Sequence, residues 1–270
     1  MAHTEESGRR TGTVVPELKE ALGHTGVVPV RARAGEERAV LERDGAVILT
    51  GRGDDPETLV VAAAELLGSR LRQIFGIRAQ HGVDRPRLGL HSDGATVYVD
   101  VHGEQVRYRD PDEDYLLMLC TGTATGGGGD SVLVDGHALV DALATANPEL
   151  HAFLTGTDVD IFGAWKQRPH EVPVTPLVRG VVEHTRRGRR AVRASEWCLP
   201  VPREPRWDAH LAHLEDYADV LATAQETAPR FRLEQGELLV LDNYRYLHGR
   251  DAFSGERLLH VMTVRTVDAF

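Results

Sequence analysis

Hydrophobic and polar positions along the chain fall into many short apolar runs and a few stretches of helical period. Residues 1 to about 33 read as a mobile arm with a short amphipathic piece around 15–22. Residues 35–43 read as a helix with Ala39, Val40 and Leu41 on its apolar side. The run Gly45-Ala-Val-Ile-Leu-Thr50-Gly51 suits a buried strand. Asp54, Asp55 and Pro56 open a helix expected to reach about Ile74, since Asp at a cap and Pro in the first turn suit the unpaired amides there. Residues 75–87 read as a loop. From Leu88 the texture turns to strands. Residues 95–101 alternate and are rich in β-branched side chains, 102–104 form a turn, and 105–109 return as the partner. Residues 115–121 and 131–134 are apolar strands separated by the glycines 126–129. A helical stretch over 137–154 breaks near Pro148, and 159–164 reads as another strand. Two short strands, 181–185 and 191–194, flank Arg186-Arg-Gly-Arg-Arg190, and 207 to about 227 is a helix. Strands over 237–246 and 258–267, with a turn near 253–256, close the chain. The pattern predicts one β-rich domain over 1–270, its core at about 45–267, with helices packed outside.

Composition narrows the class. With 270 residues, 41% of them hydrophobic, the chain can bury one sizeable core. No apolar run is long enough to span a bilayer, and the beginning MAHTEESGRR lacks the apolar stretch of a signal peptide. A cytoplasmic location and no membrane partner are therefore expected. Two cysteines exclude a disulfide scaffold, and the buried-looking Cys120 reads as an inert core residue. The formal net charge of −10 argues against nucleic acid as a partner. Of the 31 basic residues all but Lys19 and Lys166 are arginine, which suits bidentate capture of small carboxylates or phosphates without saying which arginine does it.

The sharpest chemical feature is His91-Ser92-Asp93. Residues i and i+2 of an extended chain project to one side, so an imidazole and a carboxylate can grip one cation. A second, remote histidine would complete a facial triad with open positions, the arrangement of nonheme Fe(II) oxygenases. Competing features carry less. His210 and His213 lack a zinc-protease glutamate and read as a solvated helix face; the arginines 186–190 read as a charged hairpin tip. Gly126 to Gly129 lack the Gly-Lys-Ser/Thr end of a phosphate loop, and His81, His102 and His260 read as structural or surface residues, with a substrate contact conceivable at His81.

Three ordered blocks then carry a resemblance. They are Leu90-His91-Ser92-Asp93-Gly94; Asp114-Tyr-Leu-Leu-Met-Leu-Cys120 followed by Gly128-Gly-Asp-Ser-Val-Leu-Val-Asp-Gly136; and Leu241-Asp-Asn-Tyr-Arg-Tyr-Leu-His-Gly-Arg-Asp-Ala-Phe253 with Arg257 after it. Over about 45–267 the chain resembles the taurine dioxygenase and clavaminate synthase-like family of Fe(II)/2-oxoglutarate-dependent oxygenases. The resemblance implies a double-stranded β-helix, a distorted jelly roll, with His91, Asp93 and His248 holding Fe(II). It implies that Arg257, helped by Ser131, binds the distal carboxylate of 2-oxoglutarate, with O2 as the second cosubstrate. Arg250, Arg87 and Arg78, and the segment after Val159, are the expected substrate walls. The implied reaction hydroxylates an unactivated C–H bond of a small polar metabolite, an amino acid or biosynthetic intermediate, and releases succinate and CO2. The same iron centre could instead desaturate, cyclise or epimerise, and a jelly roll of another class could bind a ligand without turnover. Asp93 stands where related halogenases lack the carboxylate, which favours oxidation without halide transfer.

Overall fold

The computed structural model describes residues 16–165 and 176–270. In chain order the strands are β1 (Val30–Arg31), β2 (Ala46–Leu49), β3 (Leu71–Ile74), β4 (Arg78–Arg85), β5 (Leu88–His91), β6 (Ala95–Val101), β7 (Glu104–Asp110), β8 (Tyr115–Gly122), β9 (Ser131–Asp135), β10 (Asp158–Asp160), β11 (Val178–Gly180), β12 (Val182–His184), β13 (Arg190–Val192), β14 (Leu199–Pro200), β15 (Arg230–Phe231), β16 (Leu238–Asp242), β17 (Tyr246–Arg250) and β18 (Phe253–Thr266). The helices are α1 (Pro16–Gly23), α2 (Glu37–Asp44), α3 (Thr58–Leu67), α4 (Gly136–Ala146), α5 (Pro148–Gly156) and α6 (Trp207–Thr227). The larger sheet runs β1-β2-β16-β8-β18-β3, with β4 also paired to β18; the smaller runs β15-β9-β17-β5. Among the described residues no helix is long and apolar enough to cross a membrane.

Both faces of the central strands are covered, which explains their unbroken apolar runs. In β2, β8 and β16, Val47, Leu49, Leu117, Leu119, Leu238 and Val240 pack outward against α2 and α3. Their alternates Ala46, Ile48, Leu116, Cys120, Leu239 and Leu241 turn inward and meet Leu133 and Phe231 of the smaller sheet. On the far side of that sheet Val132, Val134 and Leu247 pack under α1, α4, α5 and α6. The break at Pro148 is a cap. The Asn147 side chain accepts the Leu150 N–H while Pro148 takes the first helical turn, where its missing N–H costs nothing.

Several expected boundaries move. The helix expected to reach Ile74 ends at Leu67, and β3 follows it. The expected loop over 75–87 contains β4, paired residue for residue with β18 from Arg257↔Gly82 to Val261↔Arg78. Its side chains are mostly exposed and polar, so backbone hydrogen bonds hold a strand that no apolar alternation announces. The strand expected over 159–164 is the shorter β10 followed by a turn, and the one expected over 237–246 stops at Asp242 before a turn into β17. The turn expected near 253–256 lies within β18, which begins at Phe253. The arginines 186–190 do lie at the tip of a hairpin of β12 and β13, but Arg189 folds inward onto Asp114 and Asp242. Of the N-terminal arm, residues 1–15 lie outside the described residues, and the amphipathic piece is α1.

Candidate metal centre

β5 and β17 pair antiparallel with His91 opposite His248, and the two rings sit 4.3 Å apart between centroids. Asp93 follows His91 by two residues. Ligand atoms of His91, Asp93 and His248 all lie within 4.8 Å of one another, and among the described residues this is the one group of three or more such side chains that converges. His91 places Nδ1 2.9 Å from the Gly89 carbonyl oxygen, so a protonated Nδ1 donating there leaves Nε2 free to bind a cation. His248 is buried, and among the described residues its Nδ1 has no hydrogen-bond partner. Burial, and then the neighbouring His91, push the His248 imidazole down to about 3, so the ring is neutral at neutral pH. Burial alone would push the Asp93 carboxyl up. His248, His91, Arg78 and Arg109 outweigh it and hold the carboxyl below its ordinary value. Two imidazoles, one carboxylate and an orphaned buried nitrogen are a donor set that a divalent first-row cation would complete.

The ligand segment between β5 and β6 is stapled from several sides. The Ser92 N–H donates to Ala194 O at 3.0 Å, and Arg78 Nη1 donates to Gly94 O at 3.1 Å. Gly94 lies so close to the end of β7 that a Cβ there would stand 2.4 Å from Asp110 O, which only glycine avoids. Arg109 Nη2 donates to Asp93 Oδ1 at 3.3 Å.

His91, Asp93 and His248 form one wall of a cavity of about 440 Å³ between the sheets. Arg257 and Ser131 line it from β18 and β9, and Met118, Leu239 and Val261 give it an apolar floor. The glycine loop shapes that end. Gly128 sits at φ 80°, and a Cβ on it would stand 2.4 Å from Ala252 O, so only glycine lets the loop lie against the turn before β18. Burial pushes the Arg257 guanidinium below its ordinary value, with partial relief from Cys120 and Asp130. Arg250 also lines the cavity. Its Nη1 donates to Pro86 O at 2.7 Å, and its guanidinium stacks on Phe253, 4.7 Å from the ring centre.

The other two expected wall arginines are elsewhere. Arg78 stands behind Asp93, 3.7 Å from its carboxylate, and does not line the cavity; Arg87 reaches outward to within 3.9 Å of Glu226. The segment after Val159 contributes Phe162, while its residues 166–175 lie outside the described residues. Missed from sequence were Arg109, Trp197 and Glu196, which line the same cavity as the candidate metal ligands. Arg109 lies 5.7 Å and 6.0 Å from the ring centres of Trp197 and Phe162. Its position on β7 carries no local signal, because only the β6–β7 hairpin returns it to Asp93. His81, on β4, also lines the cavity. His210 and His213 both pack on Phe153, and His260 lies beside the Thr121 hydroxyl.

Comparison with known proteins shows the family and the fold. The chain is similar to γ-butyrobetaine dioxygenase of Homo sapiens, 25% identical over 224 residues that make up 80% of this chain and 54% of that protein. It thus spans about half the length of the curated relatives it matches. In fold it resembles a taurine dioxygenase from Burkholderia xenovorans, with TM-score 0.53 and 20% identity over 87% of this chain and 83% of that one. It also resembles an asparagine oxygenase solved with Fe(II), 2S,3S-3-hydroxyasparagine and succinate, with TM-score 0.53 and 18% identity over 86% of this chain and 79% of that one. These likenesses make the two facing sheets a double-stranded β-helix. The family model described as "Taurine catabolism dioxygenase TauD, TfdA family" matches residues 18–263, and the chain belongs to that family of Fe(II)/2-oxoglutarate-dependent oxygenases.

Proposed function

We propose that this protein is an Fe(II)/2-oxoglutarate-dependent dioxygenase that hydroxylates an unactivated C–H bond of a small polar metabolite, an amino acid or a biosynthetic intermediate. The observation that carries the reading is the convergence of His91, Asp93 and His248 on one wall of a cavity that also holds Arg257. Bound Fe(II) and 2-oxoglutarate would supply the oxidising chemistry, consuming O2 and releasing succinate and CO2 as the substrate gains one oxygen. Arg257 is a fixed fork for the distal carboxylate of 2-oxoglutarate, and the Ser131 hydroxyl, opening β9 beside it, can donate to the same group. Substrate then occupies the part of the cavity bounded by Arg109, Phe162, Trp197 and Glu196. Arg109 already occupies the aromatic faces with its own cation, which leaves little attraction there for a cationic head group and favours a substrate that carries a carboxylate. Apolar floor residues keep water off the reacting carbon.

Anaerobic addition of Fe(II) and 2-oxoglutarate should produce the visible charge-transfer band of the chelate, and Asp93→Ala or His91→Ala should abolish it. No band in the intact protein, or a band indifferent to these changes, refutes the iron site. A screen for succinate release over amino acids, nucleosides and pathway intermediates, followed by product mass, identifies the substrate. Gain of one oxygen marks hydroxylation, and loss of two hydrogens marks desaturation or ring closure.

A further inference from the structure

Of the three converging side chains, His248 rides on β17, a strand hydrogen-bonded on both sides, by β9 and by β5. His91 ends β5 and is paired in that ladder. Asp93 lies past the end of β5 and before β6, with no ladder at its own position. Its backbone is held instead by one side chain. Asn243 Oδ1 accepts the Asp93 N–H at 3.0 Å, and Asn243 Nδ2 donates to the Asp93 carbonyl at 3.0 Å and to Glu113 O at 2.8 Å. A carboxamide bonded to both the N–H and the C=O of one residue imitates the pairing that a neighbouring strand would provide.

Asn243 can do this because it is itself immobile. It is 1% exposed, its own N–H donates to Asp114 O at 2.9 Å, and the turn it opens is tied by Asp242 Oδ1 to the N–H groups of Tyr244 and Arg245. That turn leads directly into β17 and so to His248. One buried side chain thus fixes the backbone of the carboxylate candidate to the segment that carries the distal histidine, across 150 residues of chain.

We propose that Asn243 is a positioning residue for the metal centre: its carboxamide substitutes for the missing ladder at Asp93 and sets the distance between that carboxylate and His248. The inference rests on the proposed iron site. Residues that orient a ligand without touching the metal commonly carry a 10–100-fold share of its affinity. Asn243 approaches neither Arg257 nor Ser131 by any hydrogen bond, so iron binding should depend on it far more than 2-oxoglutarate binding at saturating iron.

The test compares wild type, Asn243→Ala and Asn147→Ala, the last removing a helix cap remote from the cavity as a control for general destabilisation. Fe(II) affinity is measured anaerobically by equilibrium dialysis and by growth of the charge-transfer band. Asn243→Ala should weaken Fe(II) binding about 10–100-fold, while 2-oxoglutarate affinity at saturating iron changes by less than about threefold and Asn147→Ala binds iron like wild type. Iron affinity within about twofold of wild type in folded Asn243→Ala overturns the inference, as does an equal loss in Asn147→Ala. Failure of wild type itself to bind Fe(II) overturns the iron site and the inference with it. If Asn243→Ala does not fold, hydrogen exchange on the wild-type apoprotein decides. The Asp93 amide should be protected at least about 100-fold over an open chain, and exchange at the open-chain rate overturns the inference.

Discussion

Two sets of partly buried arginines in this molecule have opposite electrostatics. At one end of the sheets Arg179, Arg189, Arg245 and Arg265 are each bound to carboxylates: Arg179 to Asp112 at 3.1 Å, Arg189 to Asp114 and Asp242, Arg245 to Asp135 at 2.7 Å, and Arg265 to Asp110 at 2.5 Å. Burial pulls all four guanidinium groups down, the carboxylates more than reverse it, and all four sit above the ordinary value. Around the cavity the balance is the other way. Burial dominates at Arg109, Arg250 and Arg257; at Arg250 the like charges of Arg257 and Arg85 add to it, and all three sit below the ordinary value. Among the described residues their one ion-pair partner is Asp93, itself a candidate metal ligand. The first set is paired within the fold; the second is short of anions, which the proposed dicarboxylate cosubstrate or an anionic substrate would supply.

The largest expected effect tests the complete set. Arg189→Met leaves Asp114, 0% exposed, as a buried charge without its cation. It should cost about 3–5 kcal/mol of stability, read from the denaturant midpoint. Per folded molecule, 2-oxoglutarate affinity should be unchanged; a specific loss of that affinity would erase the division between the two sets. Next comes the incomplete set. Arg257→Ala should weaken 2-oxoglutarate binding about 100-fold, as expected for losing a bidentate charge-assisted contact, with iron affinity nearly constant. Its stability should fall by less than about 1 kcal/mol, because among the described residues no carboxylate is ion-paired with Arg257. Equal losses for iron and 2-oxoglutarate would break the assignment.

Physical reasons separate what could be read from the sequence. The strands β8 and β9, the capped break at Asn147-Pro148 and the long helix α6 announce themselves, because apolar runs and caps are local signals. β4 does not, since its exposed polar side chains contribute nothing to a core and its order comes from the ladder with β18. His91, Ser92 and Asp93 form a local pattern, and His248 lies opposite His91 through one strand pairing. That Arg109 and Asn243 act on Asp93 is illegible without the fold. Each acts on Asp93 from a remote element, one through a hairpin return and one through a turn. Arg78 and Arg87 are expected as cavity walls on sequence position alone; Arg78, opening β4, turns toward the Asp93 carboxylate, and Arg87, in the link between β4 and β5, turns out toward Glu226.

A smaller effect, about tenfold, is expected at Arg109, where a single charge-assisted contact to substrate is at stake. Arg109→Gln should lower kcat/KM for a carboxylate-bearing substrate relative to its neutral amide by that factor, measured by succinate release on matched pairs. An unchanged preference would mean that Arg109 serves Asp93 alone.

The smallest effect distinguishes the two arginines that flank Phe253. Arg257 and Arg250 lie 5.7 Å and 4.7 Å from that ring, but the Arg250 Nη1 is already committed to the carbonyls of Pro86 and Asp251. With Nη1 so engaged, Arg250 is expected to act on a bound dicarboxylate mainly through its field, whereas Arg257 would offer a fork. A unit charge felt across several ångströms of partly solvated protein contributes on the order of 1 kcal/mol or less and is screened by salt. Arg250→Gln should weaken 2-oxoglutarate about threefold at low ionic strength, and the difference from wild type should disappear as salt approaches 1 M, where the screening length is about 3 Å. The deficit of Arg257→Ala should persist under the same salt, because a direct hydrogen-bonded pair excludes the screening ions. If the two deficits fade together, Arg257 too acts only through its field, and the bidentate contact assigned to it does not form.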